Sequence, residues 1–236
     1  MALSFCTASI ARALAAQIAL VFLTVVMMAA GFASGTAEAG DPAPKIRIVA
    51  FGDSLTAGFG LPAKDAFPVR LEAALKQRGH AVEVVNAGVS GDTTAGGMAR
   101  VAWAVPDGTD AVILELGAND ALQGRDPSQA RANLDAIVGR LTAKGVEVLI
   151  AGMRAPRNLG ELYAAKFDPI FPDRAVKYRT LLYPFFLDGV ALDASLNQGD
   201  GIHPNTTGVA VIVERIVPAV EQLIARVAAK RAAAAR

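Results

Sequence analysis

The chain contains two histidines, and one of them has neighbours suited to chemistry. His203 stands in "GDGIHPN", residues 199–205, three positions after Asp200. That spacing brings a carboxylate and an imidazole together across one turn of chain. A carboxylate-oriented imidazole is the base that takes the proton of a serine hydroxyl, which is otherwise a poor nucleophile. A serine in a suitable place occurs far upstream. In "IVAFGDSLTAGFG", residues 48–60, an apolar run stops at Gly52-Asp53, and Ser54 marks the change from strand to turn. Each block has a plainer reading. Asp53 or Ser54 can cap a helix, and Pro204 is suited to start one. Taken together, the two blocks point to acyl transfer with Ser54, Asp200 and His203 as the catalytic set. His80, in "RGHAV", reads as a turn residue at the opposite end of the fold.

Acyl transfer also needs donors for the developing oxyanion. The backbone N–H of Ser54 is one candidate. Gly91, in "GVSGDTTAGG" (residues 88–97), lets the backbone approach closely, and Asn119, in "GAND" (residues 117–120), offers a side-chain amide. The alternatives are a positive-φ turn at Gly91 and an Asx turn at Asn119.

The elements that must hold these residues are legible from periodicity. "KIRIVAF", "VEVVNAG", "DAVILELG" and "VEVLIAG" read as strands, and "TLLYPFF" as a fifth that contains Pro184. Between them lie helical stretches. Leu71, Ala74 and Leu75 share a face after Pro68, residues 93–104 form the next helix, and Ala130, Leu134, Ile137, Val138 and Leu141 make a stripe that stops at Gly145. A long closing helix carries Ile212, Val213, Ile216, Val220, Leu223, Ile224 and Val227, with a kink expected at Pro218. Near-continuous apolar strands alternating with helices imply a parallel sheet covered on both faces. In such sheets ligands bind beyond the carboxyl ends of the strands, and all four polar blocks fall just after strands.

Residues 1–39 read as a signal peptide, with Arg12 ahead of the apolar "IALVFLTVVMMAA" and small residues in "TAEAG" before a cut after Ala39. An uncleaved anchor is the alternative. The protein is therefore expected to be periplasmic or secreted, with no stable membrane association once the leader is removed. Residues 40–44 form a linker, 45–225 the catalytic domain, and 226–236 an Ala/Arg-rich tail read as a solvated, fraying helix end. The sole cysteine, Cys6, lies in the leader, so thiolate and disulfide chemistry are excluded from the rest. The 23 Lys and Arg nearly balance the 22 Asp and Glu, which gives no reason to expect nucleic acid.

With these residues in view, the chain resembles the GDSL, or SGNH, hydrolase family. The family's ordered Ser, Gly, Asn and His blocks correspond to "FGDSLTAGFGL", "NAGVSGDTTAGG", "LGAND" and "DGIHPN". With the following "MRAP", the order looks most like the bacterial arylesterase and thioesterase/lysophospholipase branch. The resemblance implies a three-layer α/β/α, flavodoxin-like fold with a central parallel sheet of about five strands. It implies Ser54 as nucleophile, His203 as base then acid, Asp200 as orienting carboxylate, and Ser54, Gly91 and Asn119 as the oxyanion hole. No cofactor or metal is expected, and the partner is a small ester or thioester. A carbohydrate O-deacetylase and a non-catalytic binding module are the alternatives. Leu55 and, within "APRNLGELYAAKFDPIF", Leu159, Tyr163 and Phe167 are the candidates to contact the acyl group. The competing reading for that segment is packing against the core.

Overall fold

The computed structural model describes residues 45–236, so the leader, its cleavage position and the 40–44 linker lie outside the described residues. The chain runs β1 (Ile46–Gly52), α1 (Ser54–Ala57), α2 (Phe67–Gln77), β2 (Val82–Gly88), α3 (Thr94–Ala104), β3 (Ala111–Glu115), α4 (Ala118–Leu122) and α5 (Pro127–Ala143). It continues through β4 (Glu147–Ala151), α6 (Glu161–Phe167), α7 (Ile170–Tyr178), β5 (Leu181–Tyr183) and α8 (Thr206–Ala234).

The five strands form one parallel sheet in the order β2-β1-β3-β4-β5. The central strands β1 and β3 are buried almost throughout, which is why their sequences are apolar at successive positions. Edge strand β2 instead exposes Glu83 and Asn86, and charge on an edge discourages pairing with another chain. Helices α2 and α8 pack together on one face, while α3, α5 and α7 cover the other. The predicted α5 stripe, Ala130, Leu134, Ile137, Val138 and Leu141, is buried. β5 ends at Tyr183, immediately before Pro184, which has no N–H to offer a ladder.

Helix α8 passes through Pro218 without ending. Pro218 sits on the exposed side of the helix, where the carbonyl it leaves unpaired can meet water. The stretch read as a fraying tail is instead part of this helix. Val227 is buried, the Arg226 guanidinium donates to the Arg179 carbonyl at 2.8 Å, and Lys230 reaches the Gly145 carbonyl. Arg231 donates to Asp110 at 2.8 Å and to the Lys45 carbonyl at 3.2 Å. These acceptors lie at distant points of the chain, so local composition could not reveal them.

β1 has β2 on one side and β3 on the other, so the direction of winding reverses there. The crevice at such a switch point is where this architecture binds ligands. Ser54 follows β1 and Asn119 follows β3, one on each side of it.

Candidate active site

The turn that presents Ser54 depends on a missing side chain. A Cβ on Gly52 would fall 2.0 Å from Thr56 Oγ1 and 2.5 Å from Glu115 Oε2, so only glycine lets α1 fold back against the end of β1. Asp53 caps that short helix by accepting the Leu55 N–H at 3.0 Å. Ser54 is thereby left at the sheet edge, 8% exposed.

The histidine loop is built as tightly. Asp200 Oδ1 accepts the N–H groups of Ile202 and His203, both at 3.0 Å. The Gln198 N–H donates to the His203 carbonyl at 2.7 Å, and Asn205 caps α8 through Thr207 and Gly208. The result is a hydrogen-bonded relay. His203 Nδ1 lies 2.6 Å from Asp200 Oδ2, and Nε2 lies 2.9 Å from Ser54 Oγ. Bonds from the His203 ring and from the two backbone N–H groups hold the Asp200 carboxyl down at about 2. An ionised Asp200 accepts, so Nδ1 carries the proton and Nε2 is left to accept from the serine hydroxyl. The Phe59 ring lies on the imidazole with centroids 4.6 Å apart.

The second and third blocks meet beside the serine. Asn119 lines the same cleft as Ser54 and His203. Its amide donates to Asp53 Oδ2 at 3.1 Å and to the Asp92 carbonyl at 2.9 Å. Gly91, the residue before Asp92, has φ +81 and open space where a Cβ would be. Here glycine serves backbone conformation rather than close approach. Arg100, almost fully buried, secures this loop by donating to Asp92 at 2.7 Å and to the Ala87 and Gly52 carbonyls at 2.8 Å. On the other side, Asp120 accepts from the N–H and hydroxyl of Thr94, which joins α3 to α4.

The cleft has a volume of about 590 Å³ and is lined chiefly by apolar side chains, among them Leu55, Met153, Phe185, Leu187 and Leu192. Its cations are Arg154, stacked over the Phe185 ring at 4.9 Å, and Arg157, and no carboxylate lines it. Of the four residues expected to contact an acyl group, Leu55 lies in this wall and the other three do not. Phe167 is fully buried against Phe171 and Tyr163, whose hydroxyl donates to the Arg125 carbonyl at 2.8 Å. Leu159 belongs to a short turn, Arg157–Leu159, outside the lining. The face of α6 that carries Phe167 turns to the core, and the rest of the cleft wall comes chiefly from the stretches that follow β4 and β5.

Three contributors escaped sequence reasoning: Arg100, Gln198 and Glu115, which is buried beside the Asp53 read as a helix cap. Glu115 carried a signal, as the acid in the apolar run "AVILEL". Burial pushes both carboxyls up, and the Asp53 charge raises Glu115 further. Among the described residues no group of three or more His, Cys, Asp or Glu is arranged to hold a metal ion.

The sequence pattern described as the GDSL-like Lipase/Acylhydrolase family matches residues 50–211. Esterase TesA of Pseudomonas aeruginosa is 35% identical over 178 residues, covering 75% of this chain and 89% of that one. The Thioesterase 1/protease 1/lysophospholipase L1 of Escherichia coli K12 is 34% identical over 178 residues, covering 75% and 84%. Among solved structures, AlinE4, described as an SGNH-hydrolase family esterase, superposes with a TM-score of 0.66 at 43% identity over 77% of this chain and 97% of that one.

Proposed function

The chain belongs to the GDSL-like lipase/acylhydrolase family, and from that membership we propose a serine esterase/thioesterase that works through an acyl-enzyme. The observation that carries this reading is the unbroken relay from Asp200 through His203 to Ser54, at 2.6 and 2.9 Å, opening into an apolar cleft. Ser54 Oγ attacks the acyl carbon as its proton passes to His203 Nε2. The imidazolium, held by Asp200, then gives that proton to the departing alcohol or thiol. A water deprotonated by His203 attacks the acyl-Ser54 carbonyl, and the acid leaves with Ser54 reprotonated.

The oxyanion is received by the N–H groups of Ser54 and Gly91 and by the Asn119 amide. Asn119 hydrogens are directed at Asp53 and Asp92 in the resting site. We infer that the N–H now donated to the Asp92 carbonyl is the one redirected to hydrogen-bond the oxyanion, while the bond to Asp53 stays. Such a donor favours the transition state over the ground-state carbonyl.

An apolar cleft of this size suits a fatty acyl or aryl group better than an acetyl group alone. Two arginines and no carboxylate in its lining suit an anionic leaving group, so aryl esters, acyl-CoA thioesters and lysophospholipids are the substrates to test. A panel of p-nitrophenyl and acyl-CoA esters of graded chain length tests this. Absence of turnover on every member would overturn the reading. Export through residues 1–39 belongs to the same proposal, and N-terminal sequencing of protein recovered from cell fractions tests it.

A further inference from the structure

Beneath the nucleophile lie two carboxyl groups that the hydrolytic steps do not consume. Asp53 and Glu115 are both 0% exposed. Parallel pairing sets Glu115 beside Gly52, which brings its side chain under the Ser54 turn. Glu115 Oε2 accepts the Thr56 hydroxyl at 2.7 Å and the Asp53 N–H at 3.3 Å. Oε1 meets no N–H or hydroxyl donor, as befits an oxygen that carries a proton itself. The group placed to take that proton is the Asp53 carboxyl, equally buried and tied to Glu115 through its own N–H.

Two adjacent buried carboxyls cannot both ionise, so one proton is held between them. Its location follows from the other partners. Asp53 has a donor on each oxygen, the Leu55 N–H at 3.0 Å and the Asn119 amide at 3.1 Å, whereas both donors to Glu115 fall on Oε2. The Glu115 oxygen left without a donor is Oε1, so Glu115 keeps the proton.

We propose that Glu115 is a positioning residue for the reaction, a neutral acid that clamps the Asp53 carboxylate so that Asp53 fixes the Asn119 amide and the start of the Ser54 helix. The inference rests on the esterase reading. Its force comes from the exchange described above. Once Asn119 gives the Asp92-directed hydrogen to the oxyanion, the bond to Asp53 is what still holds the amide. A carboxylate free to rotate could not keep a donor within the tolerance that oxyanion stabilisation requires.

Two substitutions separate this role from simple packing. Glutamine can donate to Asp53 and accept from Thr56 and the Asp53 N–H without ionising, so Glu115→Gln should keep most of kcat. Glu115→Leu offers neither, and should lower kcat on the order of 10²-fold with KM nearly unchanged. In an Asn119→Ala background the leucine substitution should add little further loss. A second readout needs no activity and survives a poorly folding leucine variant. An unfolded glutamate ionises near pH ~4.3, whereas folded Glu115 stays protonated, so wild-type stability falls as pH rises above that value and Glu115→Gln is spared. The Tm advantage of Glu115→Gln should therefore grow from pH 4 to pH 8. Asp53, His203 beyond it, and Arg100 on the Gly52 carbonyl are the titratable and charged groups around the site and are common to both proteins. A Tm difference that does not vary with pH, a glutamine variant as impaired as the leucine one, or a folded leucine variant with wild-type kcat would each overturn the proposal. Failure of the esterase reading would show separately, as a wild-type protein that turns over no ester.

Discussion

The Gln198 side chain donates to the Phe59 carbonyl at 2.8 Å and to the Pro204 carbonyl at 3.0 Å. It therefore joins the loop behind the nucleophile to the loop that carries the histidine. Its loss should cost about 1 kcal/mol per bond, or roughly 2–4 °C in Tm for each in a domain of this size. We expect Gln198→Ala to lower kcat more than this stability change explains, because Phe59 and His203 lose their common anchor. Steady-state kinetics well below the melting temperature check it, and unchanged kcat would mean that the two loops hold their places independently.

Ser54→Ala and His203→Ala should each remove nearly all turnover while leaving the melting curve cooperative. The double variant should be hardly worse than either single one, because the residues act as a unit. Additive losses would contradict the relay.

Asn119→Ala should lower kcat by about 10²–10³, equivalent to about 2.7–4 kcal/mol, with KM nearly constant. The residue also ties Asp53 to Asp92, so some loss of Tm is expected as well. A turn-forming role alone would lower Tm and leave the kcat of the folded fraction intact.

Asp200 titrates at about 2 in the folded protein. A carboxyl lowered on folding contributes stability that is present above its unfolded pKa of ~3.9. That contribution is lost as pH falls through about 2. Asp200→Asn should therefore flatten the stability profile between those two values and leave its shape at neutral pH unchanged. Urea titrations at a series of pH values measure this. A steep acid limb that persists in the variant would assign it to other carboxyls.

Ala191 lines the cleft, so Ala191→Trp places an indole there and should shift preference toward shorter acyl chains, with acetate esters little affected. Phe167→Ala should cost about 3–5 kcal/mol as a core truncation without moving chain-length preference. Profiles on the graded ester panel distinguish the two, and a chain-length shift in Phe167→Ala would return that residue to the cleft wall.

The contrast between these last two residues marks where sequence reasoning stops. Strands β1, β3 and β4 are legible because burial on both faces leaves an unbroken apolar run, and the polar blocks are legible because they interrupt it. Ser54, Asn119 and His203 stand at such interruptions. Phe167 and Ala191 do not differ in this way. An apolar residue in a helix or connection looks the same whether it faces the core or a cleft, and tertiary orientation alone decides. Arg100 and Gln198 were hidden for a related reason: they act largely through backbone carbonyls, which leave no trace in residue type. Glu115 sits within a strand pattern that the apolar neighbours dominate.

The bond from Arg231 to the Lys45 carbonyl joins the two ends of the catalytic fold on the side away from the cleft. Topologically the described fold, residues 45–236, is nearly a ring. A short linker across that seam, with new termini opened at the exposed Asp107-Gly108 turn between α3 and β3, would reorder the polypeptide while every strand kept its neighbours. The serine block and the histidine block would then follow one another across the linker in a chain that begins at β3. The enzyme's working surface is in this sense indifferent to the order in which its blocks are read, and a circularly permuted gene should yield the same hydrolase.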